Sequence, residues 1–347
     1  MNRYRAGLMV VAAVALAAIA LAVFRPFGSP PLSAGSGSTL LPASERVAAP
    51  DFAGIDGWIN SPPLTLAGLR GRVVLVDFWT FSCVNCVRTI PHLRQLYNAY
   101  RGRGFVIVGI HSPEFDFEKV PANVSAAVKR LGVAWPVALD SEMATWNAYS
   151  TQYWPTEDLI DQQGRIAYVH FGEGDYDVTD SAVASLLGVR PAASARASPV
   201  PSSITPELYA GSARGMLADG EAYGPQGQPT SYSDSGAPQA DDLIKVTGRW
   251  TDHGEYLQSD GPGHVRLRFH ANDLFVVMGT AGGALQVQVR LDGGVVPSGL
   301  GGPALAGSSF AITRQDLYHL VMQESPGYHL LDLSLPAGVQ LYTFTFG

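Results

Sequence analysis

Two cysteines, Cys83 and Cys86, are the only thiols in this 347-residue chain, in the run Val-Asp-Phe-Trp-Thr-Phe-Ser-Cys-Val-Asn-Cys from Val76 to Cys86. Two thiols at this spacing can close a disulfide between themselves and reopen it. The apolar stretch Val73 to Phe78 leads into the pair with strand character, and a helical pattern, Val87 to Tyr100, leads out of it. The pair is therefore expected on the first turn of a helix, where free backbone N–H groups and the helix dipole favour a thiolate. A structural zinc site needs four ligands, commonly from two such knuckles, and there is no second pair; His92 and His111 lack ligand spacing. Attachment of a c-type haem needs His directly after the second cysteine, and Val87 stands there. A redox dithiol fits all of these observations.

The rest of the chain must position that pair. Its length suggests two domains, and an apolar content of 46% is ordinary for globular cores. A net charge of −7, with no basic stripe, argues against a nucleic-acid partner. Arg3 and Arg5 precede an uncharged apolar run from Ala6 to Phe24, long enough to cross a bilayer. Residues 1–27 are read as a membrane anchor that leaves the body of the chain outside the cytoplasm. A cleaved signal peptide is the competing reading, although no small-x-small site follows the run. Either way the dithiol works where disulfides persist.

Residues 28–48, rich in Ser, Gly, Pro and Ala, read as a flexible tether. Residues 49–189 alternate strand and helix. The expected strands are Val73–Phe78, Phe105–Ile110 and Val137–Leu139, with helices over Val120–Leu131 and Ser181–Leu187 and a helical turn at Thr145–Tyr149. Leu159–Ile160 and Arg165–Phe171 flank Asp161-Gln162-Gln163-Gly164, a hairpin signal. This is an α/β layout around a mixed sheet. A Pro/Ala/Ser linker is expected at 190–205. Beyond it, residues 206–347 show short alternating strands such as Val265-Arg266-Leu267-Arg268-Phe269 between Gly-rich turns, the pattern of an all-β, jelly-roll-like sandwich.

The run Val-Leu-Val-Asp-Phe-Trp before the cysteine pair resembles the thioredoxin superfamily, and within it the exported TlpA/ResA-like branch. Trp79 to Cys86, His111-Ser-Pro-Glu-Phe115, Tyr153-Trp-Pro-Thr156, Phe171-Gly-Glu-Gly174 and the terminal Phe344-Thr-Phe-Gly347 are similar to the soluble part of DipZ-type proteins. There a thioredoxin-like domain precedes a carbohydrate-binding-module-like sandwich. The resemblance implies that Cys83 attacks a substrate disulfide and Cys86 resolves the mixed disulfide. It implies that Asp77 takes the resolving thiol's proton, that Pro155 is cis, and that Trp154 beside it pairs with substrate. It implies no cofactor beyond the Cys83–Cys86 disulfide. The implied partners are protein disulfides, a separate membrane electron donor of the CcdA/DsbD type, and a glycan for the C-terminal domain. The implied place is the bacterial envelope, anchored in the inner membrane with the domains outside. Relatives of this kind reduce specific disulfides, as in cytochrome c maturation. The Val84-Asn85 spacer helps set the potential, so the direction of exchange stays open here.

Two other readings are weighed. A thiol peroxidase motif would place Pro at position 76, where Val76 stands, although Thr80 sits three residues before Cys83. A binding module would use Trp250, Tyr256 and Tyr318 to stack on sugar rings.

Overall fold

The computed structural model describes residues 40–191 and 204–347. The expected anchor or signal segment at 1–27, most of the tether and most of the 190–205 linker lie outside the described residues. Among the described residues no helix is long and apolar enough to cross a membrane.

The first half runs β1 (Gly57–Ile59), β2 (Val73–Trp79), α1 (Val84–Tyr100), β3 (Phe105–His111), α2 (Pro121–Leu131), β4 (Val137–Leu139), α3 (Ala144–Ala148), β5 (Thr156–Ile160), β6 (Ile166–Phe171) and α4 (Tyr176–Leu187). Its six strands lie in the order β1-β4-β3-β2-β5-β6. β2 pairs parallel with β3 and antiparallel with β5, and all seven of its residues are buried. A run that is apolar except at Asp77 suits such a strand, because both faces are covered. Val73, Leu75 and Trp79 share a core with Ile90 and Leu93 of α1 and Val183 of α4. Val74, Val76 and Phe78 pack on the other face with Leu66, Leu69 and Trp146. Asp77 therefore points to the α1 and α4 side, the side of the cysteines.

Two elements are longer than the apolar pattern indicates, for one reason. β5 begins at Thr156, ahead of Leu159, and α4 begins at Tyr176, ahead of Ser181. The added residues Glu157, Asp158, Thr179 and Asp180 are polar yet buried. Their burial hides both elements from a hydrophobicity scan. The hairpin falls where expected: Gly164, at φ +72°, donates to the Asp161 carbonyl, and the Asp161 carboxylate accepts from the backbone N–H of Gln163 and Arg165.

The C-terminal half is β-rich. It contains β7 (Leu208–Tyr209), β8 (Pro229–Tyr232), β9 (Ile244–Asp252), β10 (Leu257–Ser259), β11 (Gly263–Thr280) and β12 (Leu285–Leu291). β13 (Gly294–Val295), β14 (Ser309–Ile312), β15 (Asp316–Leu335) and β16 (Val339–Phe346) complete it. The pairings are antiparallel, and β11 organises them. Its register slips between Ala271 and Asp273, so its first half pairs with β9 and its second with β16, while β15 flanks both. The expected alternation is present: Val265, Leu267 and Phe269 enter the core, and His264, Arg266 and Arg268 do not.

The proposed sugar-stacking trio needs correcting. Trp250 is entirely buried, with its indole N–H donated to the Thr247 carbonyl, so no sugar ring can reach it. Tyr318 packs on Phe310 and donates its hydroxyl to the Arg314 carbonyl. Only Tyr256, half-buried and stacked with the exposed His253 at 4.6 Å, lines an open cleft.

Candidate active site

β2 ends at Trp79, and the loop Thr80–Ser82 carries the chain to Cys83, the N-cap of α1. Cys83 is extended (φ −76°, ψ 116°), and its sulfur accepts the backbone N–H of Cys86 at 3.3 Å. A thiolate at Cys83 is thus met by a helix N-terminus. The two sulfurs, both free thiols, lie 2.6 Å apart. Cys83 is partly exposed and Cys86 buried. Burial, followed by the hydrogen bond and charge of Cys83 and the charge of Asp77, pushes the Cys86 thiol well above its ordinary range. The division of labour follows: Cys83 meets substrate, and Cys86 keeps its proton until the second step.

Asp77 lies beneath the pair on β2, buried, with Oδ1 making no hydrogen bond to the protein. Burial first, then the neighbouring Glu157, holds its carboxyl well above the usual range. The sequence places an acid at the end of a strand; the structure places it inside the core, short of a partner.

The loop before Cys83 is held by a residue the sequence reading missed. Glu118, in a single turn of 3₁₀ helix at Asp116–Lys119, is buried. Its Oε1 accepts from the Thr80 hydroxyl (2.5 Å), the Ser82 hydroxyl (2.7 Å) and the Ser82 N–H (3.2 Å), and its Oε2 from the N–H groups of Glu114 (2.7 Å) and Phe115 (3.1 Å). Burial pushes Glu118 up to about 7 against the pull of these donors. The hydroxyl of Thr80, on which a peroxidase reading leans, is donated to this carboxylate.

The peptide between Trp154 and Pro155 is cis. Trp154 Nε1 donates to the Ser112 carbonyl at 3.0 Å, and its ring lies 4.3 Å from that of Trp146. Trp154, Tyr153 and Gln152 share with Cys83 the lining of a cavity of about 260 Å³; Pro155 is buried and does not line it.

The opposite wall comes from the C-terminal half. Glu207, Tyr209, Arg214 and Thr345 line the same cavity. Glu114 bridges the two halves, accepting from Tyr209 Oη and Arg214 Nη1, each at 2.8 Å. The guanidinium lies 3.8 Å above the Tyr209 ring, whose hydroxyl, with its single proton, also lies 3.0 Å from Glu207 Oε2. Burial, followed by the charge of Glu114, pushes Glu207 to about 7. No local pattern in the sequence marks Glu207, Tyr209 or Arg214 as neighbours of a cysteine more than 120 residues earlier.

Family models match each half of the chain. The redoxin family model matches residues 45–187, and the model described as a thioredoxin-like C-terminal domain matches residues 205–347. DipZ of Mycobacterium tuberculosis is 36% identical over 313 residues, covering 86% of this chain and 43% of its own length. The thiol–disulfide oxidoreductase ResA of Halalkalibacterium halodurans is 31% identical over 114 residues, 33% of this chain and 62% of that protein. The chain belongs to the thioredoxin superfamily, in its ResA-like branch. It spans less than half the length of its DipZ relatives. A crystal structure of a thioredoxin-like superfamily protein aligns over 42% of this chain and 99% of its own, at 27% identity and a TM-score of 0.39. The sequence motifs pointed to Cys83, Cys86, Asp77, Trp154 and Pro155. The acidic loop clamp at Glu118 and the second wall of the cavity are what the fold adds.

Proposed function

We propose that this chain exchanges electrons with protein disulfides, acting as a reductant in the bacterial envelope. The observation that carries this is the pairing of a partly exposed Cys83 at a helix N-cap with a buried, protonated Cys86 directly behind it. In the first step the Cys83 thiolate attacks a substrate disulfide, forming a Cys83–substrate bond and releasing one substrate thiolate. In the second, Cys86 gives its proton to Asp77 and attacks Cys83, closing the Cys83–Cys86 disulfide and releasing the other substrate thiolate. Gln152, Tyr153 and Trp154 line the cavity beside Cys83, where a substrate segment can lie. Reducing power would come from a separate membrane donor of the CcdA/DsbD type, and residues 1–27 would hold the domains outside the inner membrane. A role like that in cytochrome c maturation fits this setting. The test is trapping in envelope extracts: Cys86→Ser should accumulate mixed disulfides through Cys83, and Cys83→Ser should not. Absence of any adduct with Cys86→Ser would remove protein disulfides as the substrate.

A second reading attaches to a different place. An open cleft of about 490 Å³ between the two halves is lined by His253, Tyr256, Tyr342, Gln315, Gln340 and Asn123, a mixture of ring faces and amides suited to a saccharide. Calorimetric titration with envelope glycans should give heat that Tyr256→Ala abolishes; no heat with any glycan counts against it.

A further inference from the structure

Behind the cysteine pair three titratable side chains stand in one row across three neighbouring strands. Asp77 on β2 lies directly opposite Glu157 on β5, and Glu157 lies directly opposite His170 on β6. Residues opposite each other in a ladder project from the same face, with Cβ atoms about 5 Å apart. On the other side of Asp77 the register partner is Gly109, which offers no side chain. Asp77 therefore has one polar neighbour in the row, and that neighbour is another acid. Both carboxyls are about 2% exposed.

Among the described residues no Lys or Arg pairs with Asp77 or Glu157. From α4, Thr179 donates to Glu157 Oε2 at 3.3 Å, and Asp180 adds negative charge nearby. From α1, His92 lies 3.6 Å from Asp180 and stacks on Tyr176 at 4.3 Å. Burial and the charge of His170 hold His92 down to about 4, so it is neutral at neutral pH. From β6, the Tyr168 hydroxyl lies 3.5 Å from that of Thr179, and the buried Nε2 of His170 makes no hydrogen bond to the protein. Asp158, next in sequence to Glu157, points to the opposite face of the sheet.

Two carboxyls this close, with no Lys or Arg paired to either among the described residues, cannot both be ionised cheaply. Resting on the dithiol reading above, we propose that Glu157 and Asp77 form a carboxyl pair sharing one proton, and that Glu157 governs how readily Asp77 accepts the Cys86 proton during resolution. Glu157 touches neither sulfur in this scheme; it is a positioning residue acting through Asp77. In the resolving step the Cys86 S–H bond breaks, the proton moves to Asp77, the new S–S bond forms to Cys83, and the substrate sulfur leaves as a thiolate. Asp77 must be ionised to take that proton. An ionised Glu157 beside it opposes this, so Glu157 places the acidic limb of the step at a higher pH than Asp77 alone would.

The experiment follows resolution directly. The reduced full chain, mixed with an aromatic disulfide reagent such as dithiobis-nitrobenzoate, first forms an adduct on Cys83 and then releases a second thionitrobenzoate as Cys86 attacks. The pH dependence of that second phase is read by stopped flow. Glu157→Gln should move its acidic limb down by about one pH unit or more. Glu157→Asp should leave the limb near its wild-type position. In an Asp77→Asn background Glu157→Gln should add no shift. A limb that stays put in Glu157→Gln, or that moves equally without Asp77, overturns the pairing. Carboxyl-carbon NMR of the unsubstituted chain gives a second readout: Asp77 and Glu157 should each report the other's titration, and two independent single steps would refute the pair. A Cys83 adduct that never releases at any pH would instead sink the dithiol reading, and the carboxyl titration would still decide the pairing.

Discussion

Arg214 Nη1 lies 2.8 Å from Glu114 Oε1, tying the β-rich half of the chain to the rim of the cavity into which Cys83 opens. The Glu114 side chain is 7% exposed and that of Arg214 38%, so the acid is the member committed to the interface. Glu207 brings a second carboxylate within reach of the Tyr209 hydroxyl that Glu114 also accepts. Arg214→Met keeps an unbranched stem over the Tyr209 ring and removes the charge. It should cost about 1 kcal/mol near pH 8, the small figure reflecting the half-exposed arginine. Because Glu207 takes up its proton near 7, the loss should shrink near pH 5. Urea unfolding at the two pH values checks this; an equal loss at both would show that the charge is not what matters.

How much of this could be read from the sequence depends on whether the partners are local. Cys83, Cys86 and Asp77 lie within ten residues of one another, and the apolar run of β2 announces the strand that carries them. Glu118 is as firmly part of the site, yet it lies in a single 3₁₀ turn 32 residues after Cys86, and no periodicity marks it. Glu157 and Thr179 were hidden more actively, because buried polar residues read as loop in any hydrophobicity pattern. Trp250 failed in the opposite sense: its type suits a stacking platform, but residue type carries no information on exposure, and the fold places it in the core. The wall of Glu207, Tyr209 and Arg214 exists only once the two halves are packed together.

Glu118 accepts five hydrogen bonds on its two oxygens, three from the loop before Cys83 and two from the backbone N–H groups of Glu114 and Phe115. Glu118→Gln substitutes an NH₂ for one of those oxygens; the Thr80 and Ser82 hydroxyls can turn to accept from it, but at least one backbone N–H then faces a donor. Near pH 8, where Glu118 is ionised, the cost should be about 1.5–3 kcal/mol, the contribution of one hydrogen bond to a charged acceptor. Denaturant unfolding should show that loss, with disulfide reduction slowed because Thr80–Ser82 no longer presents Cys83. A change below about 0.5 kcal/mol, within the range of ordinary surface substitutions, would mean the network is not a structural clamp.

Gly109 stands beside Asp77 with no side chain, and two buried indoles close over it. A Cβ there would sit 2.9 Å from Trp79 Nε1 and 3.3 Å from Trp135 Nε1. Alanine gains roughly 0.5–1 kcal/mol over glycine inside a strand. Overpacking against rigid rings costs about 1–3 kcal/mol, so the clash should win. Gly109→Ala should lower stability by about 1 kcal/mol net and perturb the fluorescence of Trp79. A stabilised variant would show that the indoles yield.

Asp77→Asn should make the chain more stable while making it a poorer enzyme. The folded state holds the Asp77 carboxyl well above the ordinary 3.8, through burial and Glu157. As pH rises from 3.8 toward that folded value, the unfolded chain gives up its proton first. Stability then falls by about 1.4 kcal/mol for each unit of separation and stays level above it. Asparagine cannot ionise, so the variant escapes this loss. Its melting temperature should exceed that of the wild type at pH 8 and converge with it near pH 3. Without a proton acceptor beneath Cys86, resolution of the mixed disulfide should slow by about 10²-fold or more. Melting curves across the pH range and single-turnover release of substrate thiol measure the two effects separately. A variant less stable than wild type at pH 8 would show that Asp77 is better satisfied in the core than its unpartnered oxygen indicates.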